Sequence, residues 1–384
     1  MIYLDNSATT PLCEGAKKAI LENIEKFGNP SSVHSLGVAA KKTVDNARSV
    51  ILSSMGIRAL NTHRVIFTSG GTESDNLVIF GALSAKSFRN KPRIITTDSE
   101  HSAILAPLAD LEAKGACEVV RLSTRGGEID LTELDKALTQ NTVLITLMAV
   151  NNETGAVYDV KAAFALAKRK VPGILTHTDL TQAYLKVRGL PAALGADLIT
   201  VSGHKINAPK GIGALIVNER VIKEKKLVPT LLGGGQEKGF RSGTENVLGI
   251  AAMAGAVESI SADGFFAHAT ALREAFLARL DQRVTVNTPQ KFAPHIISLT
   301  FDSVLASHMV NALSERGVMV SAGSACSSNG GHKSAALEGF GLTPKQAEST
   351  VRVSIGIQNT ATEMEEAADH INAVYENLLS VFKR

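Results

Sequence analysis

Cysteine is scarce: three residues are spread over a chain of 384. That excludes a disulfide framework and points to a reducing compartment. Net charge is only +3 and the basic residues are scattered. The chain therefore carries no electrostatic footprint for nucleic acid or for a membrane surface. No stretch reaches the ~18 uninterrupted apolar residues of a membrane span. The opening "MIYLDNSATT" lacks the basic and apolar segments of a secretory leader. Repeats, low-complexity segments and long linkers are missing too. The expectation is a soluble, cytoplasmic protein with no nucleic-acid partner, no membrane partner and no metal site. Hydrophobic residues make up 44% and charged residues 20%, and the length allows a large core in two domains.

From about residue 64 to 217, short β-rich runs alternate with helical stretches. The runs are "RVIFTSG", "RIITTDSEH", "CEVVRLS", "TVLITLMAVNNETG", "ILTHTDL", "DLITVSG" and "GALIVN". Each ends in small or polar residues. The alternation predicts an α/β fold, a mostly parallel seven-stranded sheet flanked by helices. Ligands of such sheets lie beyond the carboxyl ends of the strands, so the polar residues there become candidates. Residues 250–281 read as one long helix. After it, strand-like "VTVN", "PHIISLTFD", "GVMVSAGSA" and "TVRVSIGI" are joined by a helix near 303–316 and followed by a closing helix. Thr362 and Glu365 have capping-box spacing at the start of that helix. Ile371, Val374, Leu378 and Val381 fall on one of its faces. The prediction is a smaller α+β domain. The expected division is 14–255 for the large domain, and 1–13 with 256–384 for the small one.

Five stretches carry candidate chemistry. In "VSGHKINAPKGIGA", Lys205 follows a strand directly and precedes a Gly- and Pro-containing loop. Alone it is a solvated loop lysine. Beside Ser202 and His204, two donors for a phosphate, it reads as an amine that condenses with a carbonyl cofactor. In "FTSGGTES", a strand runs through Gly71 and Thr72 into a helix. Glycine lets the backbone approach a phosphate, and the helix start offers free N–H groups. The same letters also serve as a plain strand-to-helix turn capped by threonine. In "THTDLTQA", Asp179 and Gln182 end a buried strand. A buried carboxylate needs a cation, and a protonated pyridine nitrogen is one; a turn cap is the alternative. His101 in "TTDSEHSAIL" can stack on a ring and exchange protons near neutral pH, or be structural. Asn151 in "AVNNETGAVYDV" can bond a ring hydroxyl, or shape a polar turn. Together these residues describe a pyridoxal phosphate pocket at the strand ends of one α/β domain.

The segments "YLDNSATT", "GNPSSVHSLG", "TSGGTESDN", "NNETGAV", "HTDLTQA", "SGHKINAPKGIGAL", "GGGQEKGFRSGTENV" and "SAGSAC" occur in that order. From residue 3 to about 356 the chain resembles the cysteine desulfurases of the NifS/IscS type, within the class V aminotransferase group. The resemblance implies a fold-type I pyridoxal 5′-phosphate enzyme, a homodimer that converts L-cysteine to L-alanine and an enzyme persulfide. It makes Lys205 the Schiff-base lysine, stacks His101 over the ring and pairs Asp179 with the pyridine nitrogen. Gln182 and Asn151 approach the ring hydroxyl, with Asn151 near the substrate as well. Gly71, Thr72, Ser202 and His204 hold the phosphate, and Thr244 of "RSGTEN" reaches it from the partner subunit. Arg352 grips the substrate carboxylate and Cys326 accepts the sulfur. The form "SAGSAC", with small residues after it, resembles the class with a longer, mobile cysteine loop.

The same resemblance implies a sulfur-acceptor protein, either an iron–sulfur scaffold or a sulfur relay. Competing readings are a selenocysteine lyase and another enzyme of the class V aminotransferase fold. A plain aminotransferase needs no thiol at Cys326. A non-catalytic interaction protein would have lost Lys205, Asp179 or Cys326, and all three are intact. Cys13 reads as a helix start and Cys117 as a small core residue.

Overall fold

The structure is a computed structural model, and it describes residues 1–59, 61–189, 191–323 and 334–382. The chain begins with β1 (Ile2–Tyr3). Seven strands then build the large sheet: β2 (His63–Thr68), β3 (Arg93–Thr97), β4 (Glu118–Leu122), β5 (Thr142–Met148), β6 (Leu175–Asp179), β7 (Leu198–Ser202) and β8 (Gly213–Asn218). They are the seven apolar runs of the sequence. Their order is β2-β8-β7-β6-β5-β3-β4. Pairing from β7 through to β4 is parallel, and β8 runs antiparallel to both its neighbours.

The runs are buried along most of their length because both faces of the sheet are covered. Alternate residues point to opposite faces. Val65, Phe67, Ile145, Leu147, Ile199 and Val201 enter one core, with the helices Ser35–Ser54, Val160–Lys170 and Val247–Ser259. Ile66, Leu144, Leu198 and Leu215 enter the other, with the helices Gly71–Leu83 and Ser102–Ala113. Cys117 is buried in that second core, and Cys13 sits at the N-terminal cap of the helix Glu14–Asn23.

The remaining strands are β9 (Thr285–Val286), β10 (Ile296–Thr300), β11 (Val318–Met319) and β12 (Thr350–Ser354). An antiparallel sheet is ordered β12-β10-β9, and β1 pairs with β11 in parallel. Ile2 and Leu4 join Phe276, Leu299, Met309, Val351 and Ile371 in a third core.

Two expectations about helices change. Residues 250–281 are not one helix: Val247–Ser259 and Ala262–Arg279 meet at a bend of 68°. Ser261 starts the second by accepting a hydrogen bond from the Gly264 amide, and a serine in that position ends one helix as it begins the next. The first helix packs on the large sheet and the second in the third core. No single helix among the described residues is long and apolar enough to cross a membrane. The closing helix spans Ala361–Phe382. Its capping box is Thr360 with Glu363, each side chain accepting from the other's amide at 3.3 and 3.0 Å, and not Thr362 with Glu365.

Candidate active site

Strands β2, β3, β5, β6 and β7 all end at the same edge of the sheet, as their pairing directions require. Residues at these strand ends and in the turns beyond them meet in one cavity of about 240 Å³. Gly71 and Thr72 come from the turn after β2, and His101 from the turn after β3. Asp179 ends β6, Ser202 ends β7, and His204 and Lys205 come just after it. Gln182 and Arg352 line it too.

The phosphate-sized corner is built by absence of side chains. A Cβ on Gly71 would stand 3.2 Å from Thr181 Oγ1 and 3.7 Å from Ser202 Cβ. A Cβ on Gly213, the first residue of β8, would meet Gly70 Cα at 2.7 Å. Glycine at both positions lets the turn lie against the sheet, and the start of the helix Gly71–Leu83 lines the cavity. Thr72 and Ser202 add hydroxyls there.

Asp179 is 7% exposed and its Oδ1 accepts from the Thr181 amide at 2.8 Å. Lys205 Nζ donates to the carbonyls of Ser7 (2.5 Å) and Ala8 (2.7 Å). The Lys205 loop is pinned by the N-terminal segment: Thr10 Oγ1 accepts from the Asn207 amide, and Asn207 itself takes a left-handed φ of 61°. Gln182 Nε2 donates to the same Ser7 carbonyl at 2.9 Å, and its Oε1 accepts from Lys186 Nζ at 3.1 Å. With Nε2 donating to a carbonyl and Oε1 accepting from Lys186, the amide cannot flip.

Arg352 is 2% exposed. Its Nη2 is paired with Asp5 Oδ1 at 2.8 Å, and its Nη1 donates to the Asn152 carbonyl at 2.9 Å. Its Nε has no partner among the described residues. Both outer nitrogens of the guanidinium are thus engaged, which fixes its plane at the cavity wall.

The family model described as Aminotransferase class-V matches residues 2–366. A curated cysteine desulfurase IscS from Dictyoglomus turgidum is 35% identical over 99% of this chain and 96% of its own length. A solved NifS-like protein has a TM-score of 0.87 at 30% identity, covering 98% of this chain and 99% of its own. A structure described as SspA in complex with cysteine has a TM-score of 0.80 at 30% identity, covering 92% of this chain and 99% of its own. The chain belongs to the class-V aminotransferase family. Its fold is that of the fold-type I pyridoxal phosphate enzymes.

In this class-V aminotransferase, burial sets the ionisation of the site. His101 is the N-cap of the helix Ser102–Ala113, its Nδ1 accepting from the Ala103 amide at 3.1 Å. Its neutral ring therefore carries the proton on Nε2. Burial pushes this ring below the ordinary histidine value; Lys205 pushes the same way and Asp179 opposes. His204 is driven down to about 4 by burial, with Lys205, Lys210 and Lys186 adding. Lys186 is lowered to about 7 by burial first, then by Lys205 and Arg352. Glu100, beside His101, is raised to about 8 by burial.

Not every expected residue of the class-V site reaches the cavity. Asn151 does not line it. Its side chain is spent on its own turn: Oδ1 accepts from the amides of Glu153 (3.0 Å) and Thr154 (2.9 Å), and Nδ2 donates to the Ser99 carbonyl at 3.1 Å. The next residue, Asn152, lines the cavity instead. Thr244 is exposed and stands outside the cavity lining. Its loop is tied near the phosphate corner by Arg241, which pairs with Glu73 at 2.9 Å. Cys326, with the expected loop around it, lies outside the described residues. Sequence reasoning missed Ser7, Ala8, Asp75 and Asn152. Asp75 had a signal: it follows Gly71 by four residues, one turn along the same helix face. Ser7 and Ala8 had none, because Lys205 meets their main-chain carbonyls.

Proposed function

We propose that this chain is a pyridoxal 5′-phosphate-dependent cysteine desulfurase that takes sulfur from L-cysteine, leaving L-alanine and a persulfide on Cys326. The observation that supports it most is the meeting of Lys205, Asp179, Arg352 and a glycine-opened helix start in one cavity. The donor set suits that cofactor. Lys205 offers an amine, Asp179 a carboxylate for the ring nitrogen, and Thr72, Ser202 and His204 a lining for the phosphate. Gln182, its amide orientation set by Ser7 and Lys186, would offer its second N–H to the ring hydroxyl. When bound, the cofactor supplies an electron sink for bond changes at the substrate's carbon atoms.

The chain's own residues supply the rest. Arg352, set at the cavity wall by Asp5 and the Asn152 carbonyl, receives the substrate carboxylate. Lys205 Nζ, once released, is the base for the proton on Cα. His101 holds or moves a proton at the substrate sulfur. Cys326, as thiolate, attacks that sulfur. The carbon–sulfur bond breaks, its electron pair stays with carbon, and a proton completes alanine. One sulfur passes from substrate to Cys326, so no external oxidant is needed. Thr244 acts from the partner subunit of a homodimer, and a sulfur-acceptor protein then takes the persulfide. The cytoplasm suits this use of a free thiol.

Mass spectrometry of Cys326 after addition of L-cysteine tests the reading. A gain of one sulfur on Cys326, with stoichiometric alanine, is expected. Alanine formed at the parental rate by the Cys326→Ser protein would refute the acceptor role. Turnover of selenocysteine alone would move the chain to the selenocysteine lyases.

A further inference from the structure

Asp75 lines the same cavity as Asp179. It is 1% exposed, and its Oδ1 has no hydrogen-bond partner among the described residues. The Thr200 side chain lies beside it. His177 Nε2 stands 3.6 Å from Asp75 Oδ1 and meets Thr200 Oγ1 at 3.0 Å. On its other side, His177 Nδ1 meets Thr146 Oγ1 at 2.8 Å. Thr146, His177 and Thr200 sit on β5, β6 and β7, so the row crosses three adjacent strands. His177 is two residues before Asp179 and points to the same face of β6. Thr200 is the register partner of Asp179.

No cation balances Asp75 in this row. His177 is completely buried, which drives its ring down to about 3 and keeps it neutral. The charged neighbours that act on Asp75 are the carboxyls of Asp179 and Glu100. Burial first, and Asp179 next, push the Asp75 carboxyl well above the usual carboxylate range. Two adjacent carboxylates without cations cannot both ionise, so one takes up a proton. Asp75 is more buried than Asp179, and its Oδ1 lacks the amide donor that Asp179 Oδ1 has, so it is the one placed to do so.

We propose that Asp75 is a positioning residue for the ring-nitrogen site: it rests as a neutral carboxylic acid, orders Thr200 and His177, and leaves Asp179 as the charge that faces the ring. This rests on the reading that the cavity holds pyridoxal phosphate against Asp179. Its consequence is specific. A second anion here would compete with the ring nitrogen for a proton, whereas a neutral acid supports Asp179 without competing.

The test is a pH titration of the bound cofactor's visible absorbance in the holoprotein, with cofactor affinity measured alongside. Asp75→Asn keeps the shape and removes only the ability to ionise. Its titration midpoint is expected within about 0.3 unit of the parent, and its cofactor Kd within about threefold. Asp75→Leu, which can order nothing, should weaken cofactor binding by about tenfold. A midpoint displaced by about a unit or more in Asp75→Asn, as removal of a nearby charge produces, would overturn the proposal. So would an unchanged Kd in Asp75→Leu. Should neither variant fold, the infrared spectrum of a Glu100→Gln holoprotein decides: a protonated-carboxyl band at neutral pH is expected, and its absence overturns the neutral acid. A parent protein that takes up no pyridoxal phosphate would refute the function itself, which is a different result from either.

Discussion

Replacing Asn151 with alanine removes an acceptor that two main-chain amides share. The Glu153 and Thr154 amides donate to Asn151 Oδ1 at 3.0 and 2.9 Å, and both residues are buried. The Thr154 hydroxyl adds a third bond at 3.1 Å. Both amides lose their acceptor where the turn is buried. Each unpaired buried donor costs about 1–3 kcal/mol, so the pair costs about 2–6 kcal/mol. That is a large part of the 5–15 kcal/mol or so that typically holds a protein folded. Asn152→Ala should behave in the opposite way. Its side chain lines the cavity, and its carbonyl, the acceptor for Arg352, survives the substitution. Its stability is expected within about 0.5 kcal/mol of the parent, with the effect appearing in cysteine turnover. Urea unfolding of the cofactor-free proteins, paired with cofactor uptake, separates the two. An Asn151→Ala protein with the parental urea midpoint and poor cofactor uptake would refute the assignment of Asn151 to the turn.

Three further outcomes are expected. Lys205→Ala should lose the visible absorbance of a covalently held cofactor; retention of that absorbance would remove Lys205 from its role. Glu100 is raised to about 8 in the fold from 4.5, so its stabilising proton is fully held below 4.5 and is lost as pH rises through 8. Glu100→Gln, which cannot lose it, should gain on the parent across that range by up to about 5 kcal/mol in unfolding of the cofactor-free protein; a difference that does not change with pH would contradict this. Asp5→Asn should cost about 1–3 kcal/mol in the same assay, because Arg352 is left buried and charged, and an unchanged midpoint would show that the pair is idle.

The large sheet was legible because its strands are covered on both faces. Such strands are short and rich in β-branched residues, and each of the seven runs became one. The chemistry was legible for a related reason. A parallel sheet collects its strand ends at one edge, so Lys205, Asp179, His101 and Thr72 could be grouped without knowing the strand order. Asn151 and Asn152 could not be told apart, since neighbouring residues of a turn face opposite ways and carry the same letter. The break at Ile260 was hidden because small apolar residues run on either side of it, and only Ser261 with Gly264 marks a new start. The closing helix offered two overlapping capping boxes, Thr360 with Glu363 and Thr362 with Glu365. The earlier one forms, which adds two residues to the helix. Ser7 was invisible in principle: it contributes a carbonyl, which every residue has.

That carbonyl has a consequence for how the protein comes into being. The Ser7 amide donates to Ser354 Oγ at 2.8 Å, and Asn6 Nδ2 donates to the Ser354 carbonyl at 2.9 Å. The segment that steadies Lys205 and Gln182 is therefore clamped by a strand made some 347 residues later. A chain still leaving the ribosome can form most of the large sheet, yet it holds no finished pocket until β12 arrives. A fragment cut short before Ser354 therefore keeps Lys205 without the frame that steadies it.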